Sequence, residues 1–226
     1  MQFVVLIILC LYGLLIIRYA LGWSKTKRIS QENFSPKVSV VIVMRNEENE
    51  IACLLKGLQS QIYSTDKLEF ILVNDHSTDN TLALLEKSNL LNLQILNMKK
   101  DESGKKHAIS MAVSIASGDI ILASDADCNF NPYWVKTMVN YFTNNDVKLV
   151  SGPVVFNKQR GIFQSLQALE FASLIGSGAG AIGIKSAIFC NGANMAYRKE
   201  VFLEVNNFEK DNAVSGDDVF LLHSIK

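Results

Sequence analysis

Histidine and cysteine are too few and too scattered here to build a metal centre or a disulfide frame. The 226 residues hold three histidines, His76, His107 and His223, and four cysteines, Cys10, Cys53, Cys128 and Cys190. No pair of them has metal-ligand or CxxC spacing, which excludes a zinc ribbon and fits reduced cytosolic thiols. An excess of charge is missing too. Twenty-two basic side chains balance 22 acidic ones, so a nucleic-acid partner held by many phosphate contacts is not expected. Any phosphate site must be local. Charge is absent altogether from Phe3 to Ile17. Counted through Trp23, the apolar run reaches about 20 residues, enough to cross ~30 Å of hydrocarbon.

Arg18 lies near one end of that run, where its side chain can reach the interface. A cleavable signal peptide is the alternative. It lacks a positive n-region and a small-x-small cleavage site, so residues 1 to 23 read as an uncleaved single-pass anchor. Lys25, Lys27 and Arg28 follow the span and nothing basic precedes it. The positive-inside bias then puts the remaining chain in the cytoplasm, at the inner (plasma) membrane.

Residues 24 to 36 form a polar linker ending at Pro36, and a domain over 37 to 226 follows. Val38 to Val43, Leu68 to Val73, Leu93 to Asn97 and Asp119 to Ala123 read as strands. Helical spacing from Ile51 to Leu58, from Leu82, and from His107 to Ala116 separates them. Alternation at this rhythm predicts a largely parallel, Rossmann-like α/β sheet flanked by helices. Right-handed crossovers bring the strands' carboxyl ends to one edge. A helix over 132 to 142 and a strand over 148 to 155 come next. Residues 161 to 190 are apolar and small, with five glycines between 176 and 192. The expectation there is a helix packed on the sheet or dipping into the membrane interface, followed by a flexible segment. A second span is disfavoured by Gln164, Gln167 and Glu170. Val219 to Ile225 opens a helix with no stop signal before Lys226, so the domain reads as truncated at its C-terminus.

Three polar clusters lie immediately beyond predicted strands: Arg45 to Glu47, Asn74 to Asp79, and Ser124 to Asp127. Asp125 and Asp127 carry the most chemistry. In extended backbone, residues two apart share a face with Cα atoms roughly 6 to 7 Å apart. Two such carboxylates suit Mg²⁺ or Mn²⁺, which keep waters and lean on substrate phosphates. A bare Asp-x-Asp is more often a solvated loop. Its position after a buried strand, at the edge where open α/β sheets collect ligands, favours the site.

In this order, the motifs resemble those of the family-2 glycosyltransferases, inverting enzymes of the GT-A fold that use nucleotide-diphosphate sugars. The match runs from about residue 37 to 226. It rests on the strand to Asn46-Glu47, on Val73-Asn74-Asp75-His76-Ser77-Thr78-Asp79-Asn80-Thr81, and on Gly104-Lys105 with Ala108. Ser124-Asp125-Ala126-Asp127, Asn191-Gly192-Ala193-Asn194 with Tyr197-Arg198, and Gly216-Asp217-Asp218 complete it. The resemblance implies that Asp75 meets the uracil imide and Glu47 the ribose. It also implies that Asp127 and Asp125 hold the Mg²⁺ or Mn²⁺ bridging the diphosphate, and that Lys105 adds positive charge there. Asn191, Gly192 and Arg198 fall on the acceptor side. Asp218 is the candidate base that deprotonates the acceptor hydroxyl, with Asp217 at the family's Glu position as its competitor. Asn74 replaces the family's first Asp and His76 its Gly, so the turn there is expected to differ.

The resemblance implies an inverting transferase with the membrane, a nucleotide sugar (a UDP-sugar by preference) and a lipid-linked or polysaccharide acceptor as partners. The alternative is a truncated, non-catalytic sugar-nucleotide-binding subunit. A haloacid-dehalogenase-type phosphotransferase is excluded by an Asp-x-Asp that comes after three strands rather than early. A nucleotidyltransferase would want a glycine-rich basic loop where Met44-Arg45-Asn46-Glu47 stands.

Overall fold

The computed structural model describes residues 2–26, 34–99, 104–157, 161–205 and 217–225. The chain divides into two units, one of residues 1–28 with 153–191 and one of residues 29–152 with 192–226.

The second unit carries the sheet. Its elements in chain order are β1 (Val38–Met44), α2 (Ile51–Gln59), β2 (Leu68–Asn74), α3 (Thr81–Glu86), β3 (Leu93–Asn97) and α4 (Lys105–Ile115). There follow β4 (Ile120–Asp125), α5 (Trp134–Val139), β5 (Leu149–Ser151), β6 (Asn194–Arg198), α7 (Lys199–Val205) and α8 (Asp217–Ile225). The strands lie in the order β3-β2-β1-β4-β6-β5. The first four run parallel, while β6 runs antiparallel to both β4 and β5. The chain winds outward from β1 to β3, then returns to place β4 on β1's other side. That reversal opens a crevice beyond the carboxyl ends of β1 and β4, where open α/β sheets bind ligands.

Alternation along β1 explains the layers. Val38, Val40, Ile42 and Met44 face one way and join a single core with Ile51, Leu54 and Leu58 of α2 and with Trp134, Val135, Met138 and Val139 of α5. Helix α4 packs against β1 and β2 and buries Ala108, Ile109, Ala112 and Val113. Each fully buried Val, Leu or Ile contributes about 1.5–3 kcal/mol of transfer free energy. The sheet is therefore a stiff platform for the loops at its edges.

Strand β5 is shorter than expected, three residues instead of a run to 155. Pro153 ends it, since a proline ring carries no N–H for the ladder. Asn194 needs the space as well: a Cβ on Gly152 would collide with its side chain.

The first unit is built from α1 (Gln2–Trp23) and α6 (Ile162–Gly183). Helix α1 is long and apolar enough to cross a membrane, with mean hydropathy 2.6, and only Gly22 along it is buried. The expected flexible stretch is instead helical: α6 continues through Gly176-Ser177-Gly178-Ala179-Gly180 to Gly183. Its packing partner is α1. A Cβ on Gly22 would strike the Gly180 carbonyl, and one on Gly180 the Tyr19 carbonyl. Glycine's helix cost of about 1 kcal/mol is offset here by the close backbone approach that small residues allow.

Candidate active site

The turns after β1 and β2 form one structure. Asn46 and His76 both sit in the left-handed region, at φ 58° and 57°. Neither is glycine, so each conformation must be held by its neighbours. The Asn46 N–H donates to Ser77 Oγ at 3.0 Å, and Asn46 Oδ1 accepts from the Thr78 N–H at 2.8 Å. The Glu47 N–H donates to Thr81 Oγ1 at 2.8 Å and the Glu48 N–H to Asp79 Oδ2 at 3.1 Å. These bonds take up the free N–H groups at the approach to α2, so Glu47 caps nothing with its side chain. Asp79 does cap α3: its Oδ1 accepts from the Thr81 N–H at 3.0 Å.

A cavity of about 300 Å³ opens beyond these strand ends, lined by Arg45, Glu47, Asp75, Lys105, Asp125 and Asp127 together with Val43, Met44 and Ala126. Five of the residues expected from the sequence on the donor side are thus brought together from β1, β2, β4 and the start of α4. Arg45 is the one the sequence reading left out of the site. Its signal was its place directly after a buried strand, beside Asn46-Glu47.

Charge in the cavity is unevenly paired. Lys105 Nζ lies 2.7 Å from Asp125 Oδ1, and Gly104, at φ 97°, sets the start of α4 that delivers this lysine. Asp75 Oδ1 is 2.7 Å from His76 Nδ1, and His76 Nε2 is 2.9 Å from the Lys99 carbonyl. Among the described residues, Glu47 has no such ion pair. Burial first, and then the charges of Asp127, Glu50, Asp79 and Asp125, push its carboxyl above the ordinary value.

Hard carboxylate oxygens at Asp125 and Asp127 suit Mg²⁺ or Mn²⁺. Among the described residues there is no cluster of three His, Cys, Asp or Glu side chains arranged to hold a metal. The donor set therefore fits an ion that completes its shell with water and ligand phosphates, not one caged by protein alone.

Gly192, Arg198 and Asp218 are not among the residues that line this cavity. Because β6 is antiparallel, its first residue, Asn194, pairs with Ser124 at the same sheet edge, and Ser124 Oγ donates to the Ala193 carbonyl at 2.6 Å. Gly192, next in the chain, donates its N–H to Asp218 Oδ2 at 2.9 Å. Asp218 Oδ1 accepts from the Val219 N–H at 2.8 Å at the start of α8. Lys106 Nζ sits 5.2 Å from the centre of the Phe220 ring, which ties α8 to the start of α4. Asn191 is the last residue of the helical unit. The Asp217 side chain and Gly216 lie outside the described residues.

Arg198 lies away from these residues. It pairs with Ile120 at the opposite sheet edge. Its Nε donates to the Val147 carbonyl at 3.0 Å and its Nη2 to the Phe142 and Asn144 carbonyls at 3.1 and 3.3 Å. Asn194 and Arg198 are the two ends of the five-residue strand β6, so they stand at opposite edges of the sheet.

The family model for glycosyl transferase family 2 matches residues 39–205. Glycosyltransferase AglE of Haloferax volcanii is 27% identical over 81% of this chain and 59% of its own length. Poly-beta-1,6-N-acetyl-D-glucosamine synthase of Staphylococcus aureus is 28% identical over 77% of this chain and 42% of its own. The chain thus spans about half the length of these curated relatives. Among solved structures, a mannosyltransferase of Pyrobaculum calidifontis in complex with GDP-Man and Mn²⁺ superimposes with a TM-score of 0.70 at 21% identity, covering 95% of this chain and 60% of that one. S. aureus TarS in complex with UDP-GlcNAc gives 0.61 at 21% identity, over 84% and 53%. The sheet and its flanking helices are GT-A-like.

Proposed function

The chain belongs to glycosyl transferase family 2, and from that premise we propose that it moves a sugar from a nucleotide-diphosphate sugar, with a UDP-sugar favoured, to a lipid-linked or polysaccharide acceptor at a membrane. The observation that carries this reading is the single cavity holding Glu47, Asp75, Lys105, Asp125 and Asp127 at the sheet's switch point.

Each residue has a physical task in it. Asp75 accepts the imide N–H of the base, which tells uracil from bases that lack a donor there. Glu47 reaches the ribose. Asp125 and Asp127 are the residues that would hold Mg²⁺ or Mn²⁺, and a bound ion would supply positive charge to offset that of the leaving nucleotide diphosphate. Lys105 supplies a further positive charge to the same oxygens. Asp218, held by the Gly192 N–H, takes the proton of the acceptor hydroxyl as that oxygen attacks the anomeric carbon from the side opposite the leaving group. The metal in the mannosyltransferase complex and the nucleotide sugars in both neighbours support the class of donor, not its identity. Helix α1 supports the membrane assignment through its length and composition, with the sheet-bearing unit on the cytoplasmic side.

Calorimetric titration of the full chain with UDP, GDP, dTDP and CDP, each with Mn²⁺ and with chelator, tests this. Metal-dependent binding of one nucleotide, lost in Asp127→Ala, is the expected result. Absence of nucleotide binding by demonstrably folded protein would overturn the donor-site reading.

A further inference from the structure

Among the described residues, the two nitrogens of the His76 ring face two acceptors. Its Nδ1 is 2.7 Å from Asp75 Oδ1 and its Nε2 is 2.9 Å from the Lys99 carbonyl oxygen. An ionised carboxylate and a backbone carbonyl only accept, and a neutral imidazole carries a single N–H. One tautomer satisfies Asp75 and turns a lone pair on Lys99; the other does the reverse. Only the imidazolium, with both nitrogens protonated, makes both bonds.

The backbone places the ring for this task. His76 holds φ 57°, a conformation that glycine adopts freely and histidine does not. The strain is met by the bonds of the two stitched turns, among them that of the Ser77 N–H to Asn74 Oδ1 at 3.2 Å. Asn74 is in turn bonded to Asn97 at 2.9 Å, and the segment bearing Lys99 follows directly on that strand. The ring therefore links the ends of β2 and β3 through the one carboxylate that β2 contributes to the cavity.

We infer that His76 is a positioning residue of the donor site: as an imidazolium it clamps Asp75 through Oδ1 and leaves Oδ2 to accept an N–H from the nucleotide base, so that deprotonation of the ring loosens base recognition. The inference rests on the reading of Asp75 as the base contact. Among the described residues, the charges acting on the ring are those of Asp75, which favours the charged form, and Arg45, which opposes it. The bonds to Asp75 and then to Lys99 hold the ring's proton above the ordinary histidine value. The clamp is thus complete below about pH 6.5 and is lost as pH rises through the raised value in the folded protein.

The test uses the full chain in detergent micelles. UDP affinity with Mg²⁺ is measured from pH 5.5 to 8.5 in the wild type, His76→Gly and His76→Asn, and the three histidines are titrated by NMR. Glycine keeps the turn, and asparagine keeps a donor without a titrating charge. In the wild type, UDP binding is expected to weaken about fivefold toward high pH, the size of one lost hydrogen bond, and this component is absent from both variants. An unchanged pH profile in His76→Gly would overturn the clamp, as would a His76 ring that titrates at the ordinary value. Asp75→Asn separates the two readings. If it spares UDP binding while returning the His76 titration to the ordinary value, the ion pair stands and the base-contact reading fails. If it abolishes binding while the wild-type profile is flat, the base contact stands and the clamp fails.

Discussion

The two edges of one sheet treat carboxylates in opposite ways. At the amino-terminal edge, Glu69 is surrounded by donors: Ser39 Oγ, the Ser117 N–H at 2.6 Å and Gln94 Nε2 at 3.2 Å. Burial opposes its charge, but the bonds from Ser39 and Ser117 outweigh that and hold its carboxyl below the ordinary value. At the carboxyl-terminal edge, Glu47 sits among Asp127, Glu50, Asp79 and Asp125, and its carboxyl is pushed up. The cations divide in the same way. Arg198 at the first edge is spent on three backbone carbonyls, whereas Lys105 at the second holds a carboxylate that lines a cavity. Satisfied charge stabilises a fold. Charge crowded with its own sign awaits a ligand, and perturbed acids of this kind collect at functional sites.

Breaking the second edge has the largest expected consequence. Asp218→Asn keeps an acceptor for the Gly192 N–H but removes the carboxylate proposed as the base. Release of nucleotide diphosphate in the presence of acceptor should fall about 10²- to 10⁴-fold, with the melting temperature unchanged. A comparable loss of melting temperature would place Asp218 with the structural carboxylates instead. Arg198→Ala reverses the pattern. Three carbonyls lose a charged donor, and urea denaturation should show a loss of about 2 kcal/mol, while UDP affinity stays at the wild-type value. A changed affinity would return Arg198 to the acceptor side.

Acid titration of stability sharpens the contrast further. A carboxyl whose value is lowered on folding adds stability above its unfolded value, near 4.5 for Glu69, and this stability is lost as pH falls through the lower folded value. Glu69→Gln should therefore flatten the decline of the urea midpoint below pH 4.5, and a decline as steep as the wild type's would count against this role. Glu47 has the opposite sign. Its raised value makes folding less favourable as pH rises from 4.5 through the folded value. Glu47→Gln should raise the melting temperature at pH 7 by about 1–2 °C while weakening UDP binding. The wild type should take up less of this benefit once Mg²⁺ and UDP are bound, because the bound cation offsets the same repulsion.

Much of this contrast was legible in the sequence. Four largely apolar runs, each ending in polar residues, located β1 to β4 to within a residue or two; for β1, β2 and β4, burial on both faces writes a nearly continuous apolar stretch into the chain. Strand polarity then placed Glu47, Asp75, Asp125 and Asp127 at one edge. The segment over 161 to 190 misled for a local reason: glycines predict an end to a helix when their cost is counted alone. The contact between Gly180 and the backbone at Tyr19 and Gly22 is a long-range gain that no local count includes. The placement of Arg198 was hidden for a different reason. A basic residue four positions after Asn194 reads as part of the same motif until the antiparallel course of β6 carries it to the far edge.

By itself, the sequence determined the strands, their direction and the acids at their ends, since hydrophobic periodicity and chain polarity act over a few residues. It also determined a 22-residue apolar helix at the N-terminus. Only the tertiary structure decided that β4 returns to the side of β1 away from β2 and so opens the crevice. It alone decided that Lys105 answers Asp125, that His76 turns to Asp75, and that Glu47 is crowded by other carboxylates. These pairings depend on distances of a few ångströms, between neighbours in the turn for His76 and Asp75 and across 20 residues for Lys105 and Asp125, and Coulomb energies at that range are set by the turn and by how the sheet closes, not by the order of residues alone.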